Sequence, residues 1–335
     1  MKIAVFEVNQ LEQDYINNNV KGADFVFFEG QLNGELIEKV KDAEIVVNFI
    51  ESSMNSKVIS KFNKLKAIIT MSTGYDHIDI TTCQKRKIAV YNVPHYGENT
   101  VAEHAMALIL ALMKNIVKSV ERTKHGNFSL EELEGLDLKG KTIGIVGMGS
   151  IGGHVARISK GFEMNVIAFN RSKNMKLAKE LGFSYVKSLD ELLRKSDIVT
   201  LHLPYNKATH HIINKKNIKL MKKGSFFINT ARGGLVDTTA LLWALEKGII
   251  RGAGLDVLEE EDLVKEERQI LNKKIPLNEI INVIENHILI NRDDVIITPH
   301  NAFNTKGAIQ RILDTTITNI NDAVSGNKKS KNRVC

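Results

Sequence analysis

Cysteine is nearly absent from this chain: among 335 residues only Cys83 and Cys335 carry a thiol. That excludes a disulfide framework and a Cys-based metal site. Long apolar runs are missing as well, and none approaches the ~20 residues that span a bilayer, so no membrane partner is expected. The opening "MKIAVFEVN" reads as a short strand. It has neither the apolar length nor the cleavage site of a secretory signal, which makes cytoplasm the expected compartment. Low-complexity linkers and repeats at a solenoid period are also lacking. The net charge is +7, but Lys and Glu are spread along the chain and the dense basic run is "KKSKNR" at 328–333. A solvated tail accounts for that run, so no nucleic-acid partner is expected. The mild positive potential would favour anionic ligands.

What is present is a rhythm. A chain of this length suggests about two domains. In the first part, short runs rich in Val, Ile and Phe alternate with polar, helix-like segments: "KIAVFEV" (2–8), "DFVFF" (24–28), "EIVVN" (44–48), "KAIITM" (66–71) and "IAVYNV" (88–93). A second series follows: "TIGIVG" (142–147), "NVIAFN" (165–170), "DIVTLHLP" (197–204), "SFFINT" (225–230), "GAGLDV" (252–257) and "VIITPH" (295–300). Strands alternating with helices predict parallel sheets covered on both faces, so the fold class is α/β with two doubly wound domains. Between the series, "TVAEHAMALILALMKNIVKSV" predicts one long buried helix, with Thr100 as N-cap and Glu103 closing a capping box. That helix is a plausible domain joint. A charged, Ile- and Asn-rich insertion covers roughly 262–291, and a final helix follows His300.

Gly147, Gly149 and Gly152 form G-x-G-x-x-G after a strand and at the start of a helix. The first allows the tight turn, the second lets backbone approach a pyrophosphate, and the third lets helix pack on strand. The helix N-terminus then offers free N–H groups to the phosphates. An acidic residue about 20 positions on would bind the ribose of NAD. Here the strand ends with Asn170, followed by Arg171 and Lys173. Losing the carboxylate and gaining cations leans slightly towards the 2′-phosphate of NADP(H). In the competing reading Arg171 stacks on adenine and Asn170 bonds the ribose of NAD(H).

Three polar features stand at the ends of later strands, where open α/β sheets bind ligands. They are Arg232 in "NTARGG", the acidic run Glu259–Glu261, and His300 in "ITPHNAF". Carbonyl reduction beside a nicotinamide needs a cation for the substrate carboxylate, an acid near neutrality, and a carboxylate to hold that acid charged. Each residue alone has a plain structural explanation, but their joint placement after a dinucleotide turn argues for chemistry. Spacing alone does not choose among Glu259, Glu260 and Glu261.

The chain resembles the D-isomer-specific 2-hydroxyacid dehydrogenase family, most closely its D-lactate dehydrogenase branch. The stretches that carry the resemblance are "STGYDHIDI" (72–80), "NVPHYGENTVAEHAMAL" (92–108), "GIVGMGSIGGHVA" (144–156), "LHLPYNKATHHIIN" (201–214), "FINTARGGLVDTTAL" (227–241), "GAGLDVLEEED" (252–262) and "ITPHNAFNT" (297–305), in family order over nearly the whole chain. The resemblance implies a Rossmann cofactor domain, 101–300, inserted into a discontinuous flavodoxin-like substrate domain, 1–100 plus 301–335. It implies that Arg232 binds the 2-oxo acid, that His300 is the general acid/base, and that Glu261, five positions after Asp256, is its partner. Thr73, Gly74 and Tyr75 would meet the substrate carboxylate, and Tyr96 would line that pocket. Val101, Ser150, Ile151, Leu203, Pro204, Thr209, Thr230, Ala231 and Asp256 would line the cofactor, with Arg232 and His300 close by.

The implied reaction is reversible reduction of a small 2-oxo acid, pyruvate first, to the D-2-hydroxy acid, in a homodimer. Glu rather than the Gln of formate dehydrogenases beside His300, and an end at 335 without an added regulatory domain, point the same way. Glyoxylate, hydroxypyruvate or a bulkier 2-oxo acid, or a non-catalytic nucleotide sensor, are the alternatives.

Overall fold

The computed structural model describes residues 1–265 and 275–335. The chain forms two compact units, Met1–Gly97 with Asn304–Cys335, and Glu98–Phe303. Part of the 262–291 insertion therefore lies outside the described residues.

The first unit holds five parallel strands: β1 (Lys2–Val5), β2 (Asp24–Phe27), β3 (Ile45–Asn48), β4 (Ala67–Thr70) and β5 (Ala89–Tyr91). Their order is β2-β1-β3-β4-β5. Every residue of β3 and β4 is buried, which is why the sequence shows continuous apolar runs rather than alternation. The crossovers carry α1 (Gln10–Asn19), α2 (Gly34–Val40), α3 (Ser56–Ser60) and α4 (Ile80–Lys85). Asn9, Asn33, Asn55 and Asp79 start them, each accepting a backbone N–H of the first turn. The closing helix, Lys306–Ser325, joins this unit. On it, buried Asn319 donates to Asn92 O at 2.8 Å and accepts from Asn332 at 2.9 Å. Residues beyond it cover the β5 edge through an antiparallel Tyr91–Arg333 bridge.

Among its described residues the second unit holds seven parallel strands: β6 (Thr142–Val146), β7 (Asn165–Phe169), β8 (Ser184–Tyr185), β9 (Ile198–Leu201), β10 (Ser225–Asn229), β11 (Ile250–Leu255) and β12 (Val295–Ile297). Their order is β12-β11-β10-β9-β6-β7-β8. The two-residue β8 has no apolar run and was not expected. Its helices are α5 (Glu98–Met113), α6 (Ile116–Lys124), α7 (Ser150–Gly161), α8 (Met175–Leu181), α9 (Leu189–Lys195), α10 (Thr238–Glu246), α11 (Glu261–Lys265) and α12 (Leu277–Ile290). In this numbering the closing helix is α13. All the strands read from the sequence are present, most with shorter ends, while the one read at 252–257 runs over Ile250–Leu255. The run "DIVTLHLP" pairs only over Ile198–Leu201, because its last residues leave the sheet to build the site.

The helix reading needs two corrections. Helix α5 begins at Glu98, so Thr100 lies inside its first turn, 4% exposed, and is not an N-cap. Glu103 accepts from the Asn99 side chain at 3.3 Å instead of closing a capping box. The expected single helix also breaks after Met113. Asn115 takes a left-handed φ of 50°, and α5 and α6 are bent by 62°. No single helix among the described residues is long and apolar enough to cross a membrane.

Packing is tight at Gly144 on β6. A Cβ there would lie 2.1 Å from Ser196 Oγ and 2.6 Å from Leu192 Cδ2, whereas one at Gly30 meets nothing within 4 Å. Overpacking of this kind costs about 1–3 kcal/mol. Gly144→Ala is expected to lower the urea unfolding midpoint accordingly, with Gly30→Ala near wild type.

Candidate active site

Glycine chemistry shapes the turn after β6. Gly147 has φ 100°, and a Cβ on it would sit 2.3 Å from His202 O. A Cβ on Gly152 would sit 2.2 Å from Gly147 O, so no larger residue lets α7 approach the turn. Gly149, the residue before α7, has open space where a Cβ would be. The result is an uncovered helix N-terminus, begun by Ser150 and Ile151, at the carboxyl edge of the sheet. Asn170, at the end of β7, accepts from Met148 N at 3.3 Å and donates to Ser172 O at 2.7 Å. Its side chain thus ties two loops together, while Arg171 and Lys173 stay exposed.

The neighbouring strand ends carry the other expected cofactor positions. Leu203 and Pro204 follow β9, with Leu203 against the Gly147 turn. Thr209 fixes that loop by donating to Pro204 O at 2.7 Å and accepting from Asn206 N at 2.9 Å. Thr230 and Ala231 follow β10, and Ala231 N donates to Asn229 Oδ1 at 3.1 Å. Val101 sits in the first turn of α5 and is half-buried. Two polar atoms here, Thr230 Oγ1 and His202 Nδ1, are sealed from solvent without a hydrogen-bond partner, a state that buried polar atoms rarely tolerate. Uncovered N–H groups, a glycine cradle and unmatched polar atoms together fit a dinucleotide.

Arg232 follows the same strand. Its backbone carbonyl accepts from Asn229 Nδ2 at 2.9 Å, and its guanidinium donates to Ala231 O at 2.8 Å. The next residue, Gly233, touches the chain after β11: a Cβ there would lie 2.0 Å from Leu258 O. The Arg232 turn is therefore in direct contact with the acidic run. Within that run the carboxylates diverge. Glu261 reaches His300, whose Nδ1 lies 3.2 Å from both of its oxygens, and each side chain is 18% exposed. Glu259 points elsewhere, to His211 Nε2 at 2.6 Å and Thr238 Oγ1 at 3.0 Å. The geometry thus pairs His300 with Glu261, a choice that spacing alone left open.

His300 sits in the left-handed region with φ 53°, so the chain around it must be held firmly. Asp256, 1% exposed, does the holding. Its carboxylate accepts the backbone N–H groups of Asn301 and Ala302 at 3.0 and 2.9 Å, and the hydroxyl of Thr298. His104 of α5 lies 3.0 Å from that hydroxyl and 3.5 Å from the carboxylate. The Asp256 carboxylate is thereby committed to the His300 turn. Sequence reasoning missed His104, Thr298 and His211, because partners of this kind have no periodic or spacing signal.

In the first unit, Thr73, Gly74 and Tyr75 form the loop after β4. Ser72 Oγ donates to Gly74 O at 2.6 Å and Thr73 Oγ1 to Val93 O at 2.8 Å, while Tyr75 is exposed. Tyr96 O accepts from Arg311 Nε at 2.6 Å. Glu7, at φ 61°, was also missed. Its carboxylate accepts from Phe49 N and Glu51 N, each at 2.9 Å, and burial raises its pKa.

A parallel sheet with a glycine cradle and a His–Glu pair on its carboxyl edge suits a dinucleotide and a proton transfer beside it. The family described as "D-isomer specific 2-hydroxyacid dehydrogenase, NAD binding domain" matches residues 106–302. A 2-hydroxyacid dehydrogenase homolog of Zymomonas mobilis is 37% identical over 97% of this chain and 98% of its own. A glyoxylate reductase of Thermococcus litoralis is 38% identical over 80% of this chain and 83% of its own. The crystal structure of the Aquifex aeolicus D-lactate dehydrogenase, complexed with NAD and lactic acid, superposes with a TM-score of 0.90. It is 36% identical and covers 99% of this chain and 98% of its own. The chain belongs to the D-isomer-specific 2-hydroxyacid dehydrogenase family.

Burial holds the His202 ring neutral and pushes its pKa down to about 3, from 6.5. The unfolded chain binds a proton there below 6.5 and the folded chain does not, so stability falls as pH drops from 6.5 towards 3. In denaturant titrations between pH 7 and 4, His202→Gln is expected to show a shallower acid loss than wild type.

Proposed function

We propose that the protein reversibly reduces a small 2-oxo acid, pyruvate first, to the D-2-hydroxy acid. The observation that carries this reading is the His300–Glu261 contact beside the Arg232 turn on a dinucleotide-binding edge. The glycine turn of Gly147, Gly149 and Gly152 would hold a nicotinamide dinucleotide, whose chemistry when bound would be hydride transfer. His300 donates the proton to the carbonyl oxygen, and Glu261 favours the charged imidazolium from which that proton comes. Arg232 grips the substrate carboxylate and polarises the carbonyl with a planar fork that Lys lacks. The first unit serves as the substrate domain, with the Thr73–Tyr75 loop and Tyr96 receiving the substrate. Glyoxylate is the second reading, favoured by the similarity to a glyoxylate reductase.

For the cofactor, the Asn170 side chain is engaged with its own loop and the glycine turn, and Arg171 and Lys173 are exposed beside it. This supports use of NADP(H) alongside NAD(H). Exposed Ile116, Val117 and Val120 on α6, with Phe128 and Leu130 after it, support a homodimer through that face. Cytoplasm remains the proposed location.

Initial rates with pyruvate, glyoxylate, hydroxypyruvate and phenylpyruvate test the substrate. Arg232→Ala is expected to lower kcat/KM for pyruvate by about 100-fold or more, the scale of removing a group that stabilises developing charge. An unchanged kcat/KM would remove Arg232 from the mechanism. The NADH to NADPH rate ratio tests the cofactor: Arg171→Ala is expected to lower NADPH turnover more than NADH turnover.

A further inference from the structure

The dehydrogenase reading uses Glu261 and leaves Glu259 unexplained, although Glu259 is the more deeply buried, 9% exposed. Both its oxygens are engaged, by His211 and Thr238. Its carbonyl accepts from Asn286 Nδ2 at 2.6 Å. Asn286 lies on α12, within the insertion, and is 0% exposed. Thus three elements close on one residue: the 209–214 turn, the start of α10, and α12. His211 is itself constrained. It has φ 46°, its N donates to Gly234 O at 2.9 Å, its carbonyl accepts from Asn214, and its ring stacks on His210 at 3.9 Å. The residue between the two glutamates, Glu260, has a left-handed φ of 52°. A non-glycine residue persists there only when its neighbours over-determine it.

We propose that Glu259, held by His211, Thr238 and Asn286, is the positioning residue that sets the strained Glu260 link and so aims Glu261 at His300. The insertion helix thereby acquires a role: Asn286 reaches under the acidic run and fixes its backbone. Held on one side by the Gly233 approach and on the other by Asn286, Glu259 fixes the start of the link that leads through Glu260 to Glu261. This role rests on the dehydrogenase reading for its consequence but not for its geometry. Among the described residues, the titratable groups around the run include Arg232 on the adjoining turn, Asp256 with His104, Asp237 and Glu285, whose carboxyl pKa is raised by burial.

The test compares wild type, Glu259→Gln, Thr238→Val and Asn286→Ala, with Glu261→Gln as reference. Two quantities are read. One is the pH at which the His300 ring titrates by NMR, its resonance assigned by loss in His300→Gln. The other is kcat for pyruvate reduction at neutral pH. Glu259→Gln is expected to move the His300 titration to lower pH, in the same direction as Glu261→Gln, because the carboxylate drifts from the ring. It should lower kcat by about 10- to 100-fold, the scale of a 1 Å misplacement, with cofactor Kd unchanged. Thr238→Val, a milder change that removes one donor, should give the same shift in smaller measure, and carries the test if Glu259→Gln does not fold. A His300 titration at its wild-type pH in folded Glu259→Gln, Thr238→Val and Asn286→Ala overturns the proposal, whatever happens to the thermal midpoint. An unmoved titration in Glu261→Gln would overturn the His300–Glu261 pairing itself, so the two failures are distinguishable.

Discussion

At Gly233 two backbones touch. No side chain can stand between the turn that carries Arg232 and the chain after β11, because a Cβ there would lie 2.0 Å from Leu258 O and 2.3 Å from Glu259 N. Much else depends on that approach. It brings a cation and an acidic run, separated by more than two dozen residues of sequence, to one point on the edge of the sheet. It also starts the path by which Glu261 reaches His300. A larger residue at 233 would have to displace backbone, which flexes far less cheaply than the tip of a long side chain.

The same logic of support runs below His300. Asp256 gives its carboxylate to two backbone N–H groups and a hydroxyl, so it is fully engaged without touching the histidine ring. Its contribution is to make a left-handed His300 tolerable. Three of the four acidic residues within these six positions thus do three different things. Asp256 shapes the backbone after β12, Glu259 anchors a loop, and Glu261 faces the imidazole. Environment divides the labour between chemically similar groups, since each carboxylate answers to the donors within its reach.

How much of this was legible beforehand follows from what leaves a periodic mark. The buried strands did, since burial on both faces demands uninterrupted apolar runs such as "IVVN" and "AIIT". The glycine turn did, because backbone conformation and close approach restrict the residue type at Gly147 and Gly152. Arg232 and His300 stood out as polar residues at strand ends. The start of α5 did not: Thr100 followed by Glu103 imitates a capping box, yet the threonine is buried within the first turn of a helix that starts at Glu98. The break at Asn115 was equally hidden, since apolar content continues across it. The choice of Glu261 over Glu259 needed the resemblance or the coordinates, because two residues of spacing in a turn do not define a direction.

Asn170 shows why a missing residue is harder to read than a present one. The absence of an acid at the end of β7 invites a 2′-phosphate, but only if the replacement is free to leave room for it. Here the asparagine amide bridges the glycine turn and its own loop at 3.3 and 2.7 Å. Its side chain is therefore drawn towards the protein, and the positive charge beside it belongs to Arg171 and Lys173, long side chains in solvent. Exposed cations of this sort are worth less than a buried fork and are screened by salt. For the dual cofactor use proposed above, they would accommodate a phosphate without excluding a ribose hydroxyl, and the site would discriminate between the two dinucleotides by a modest free-energy difference rather than by a clash.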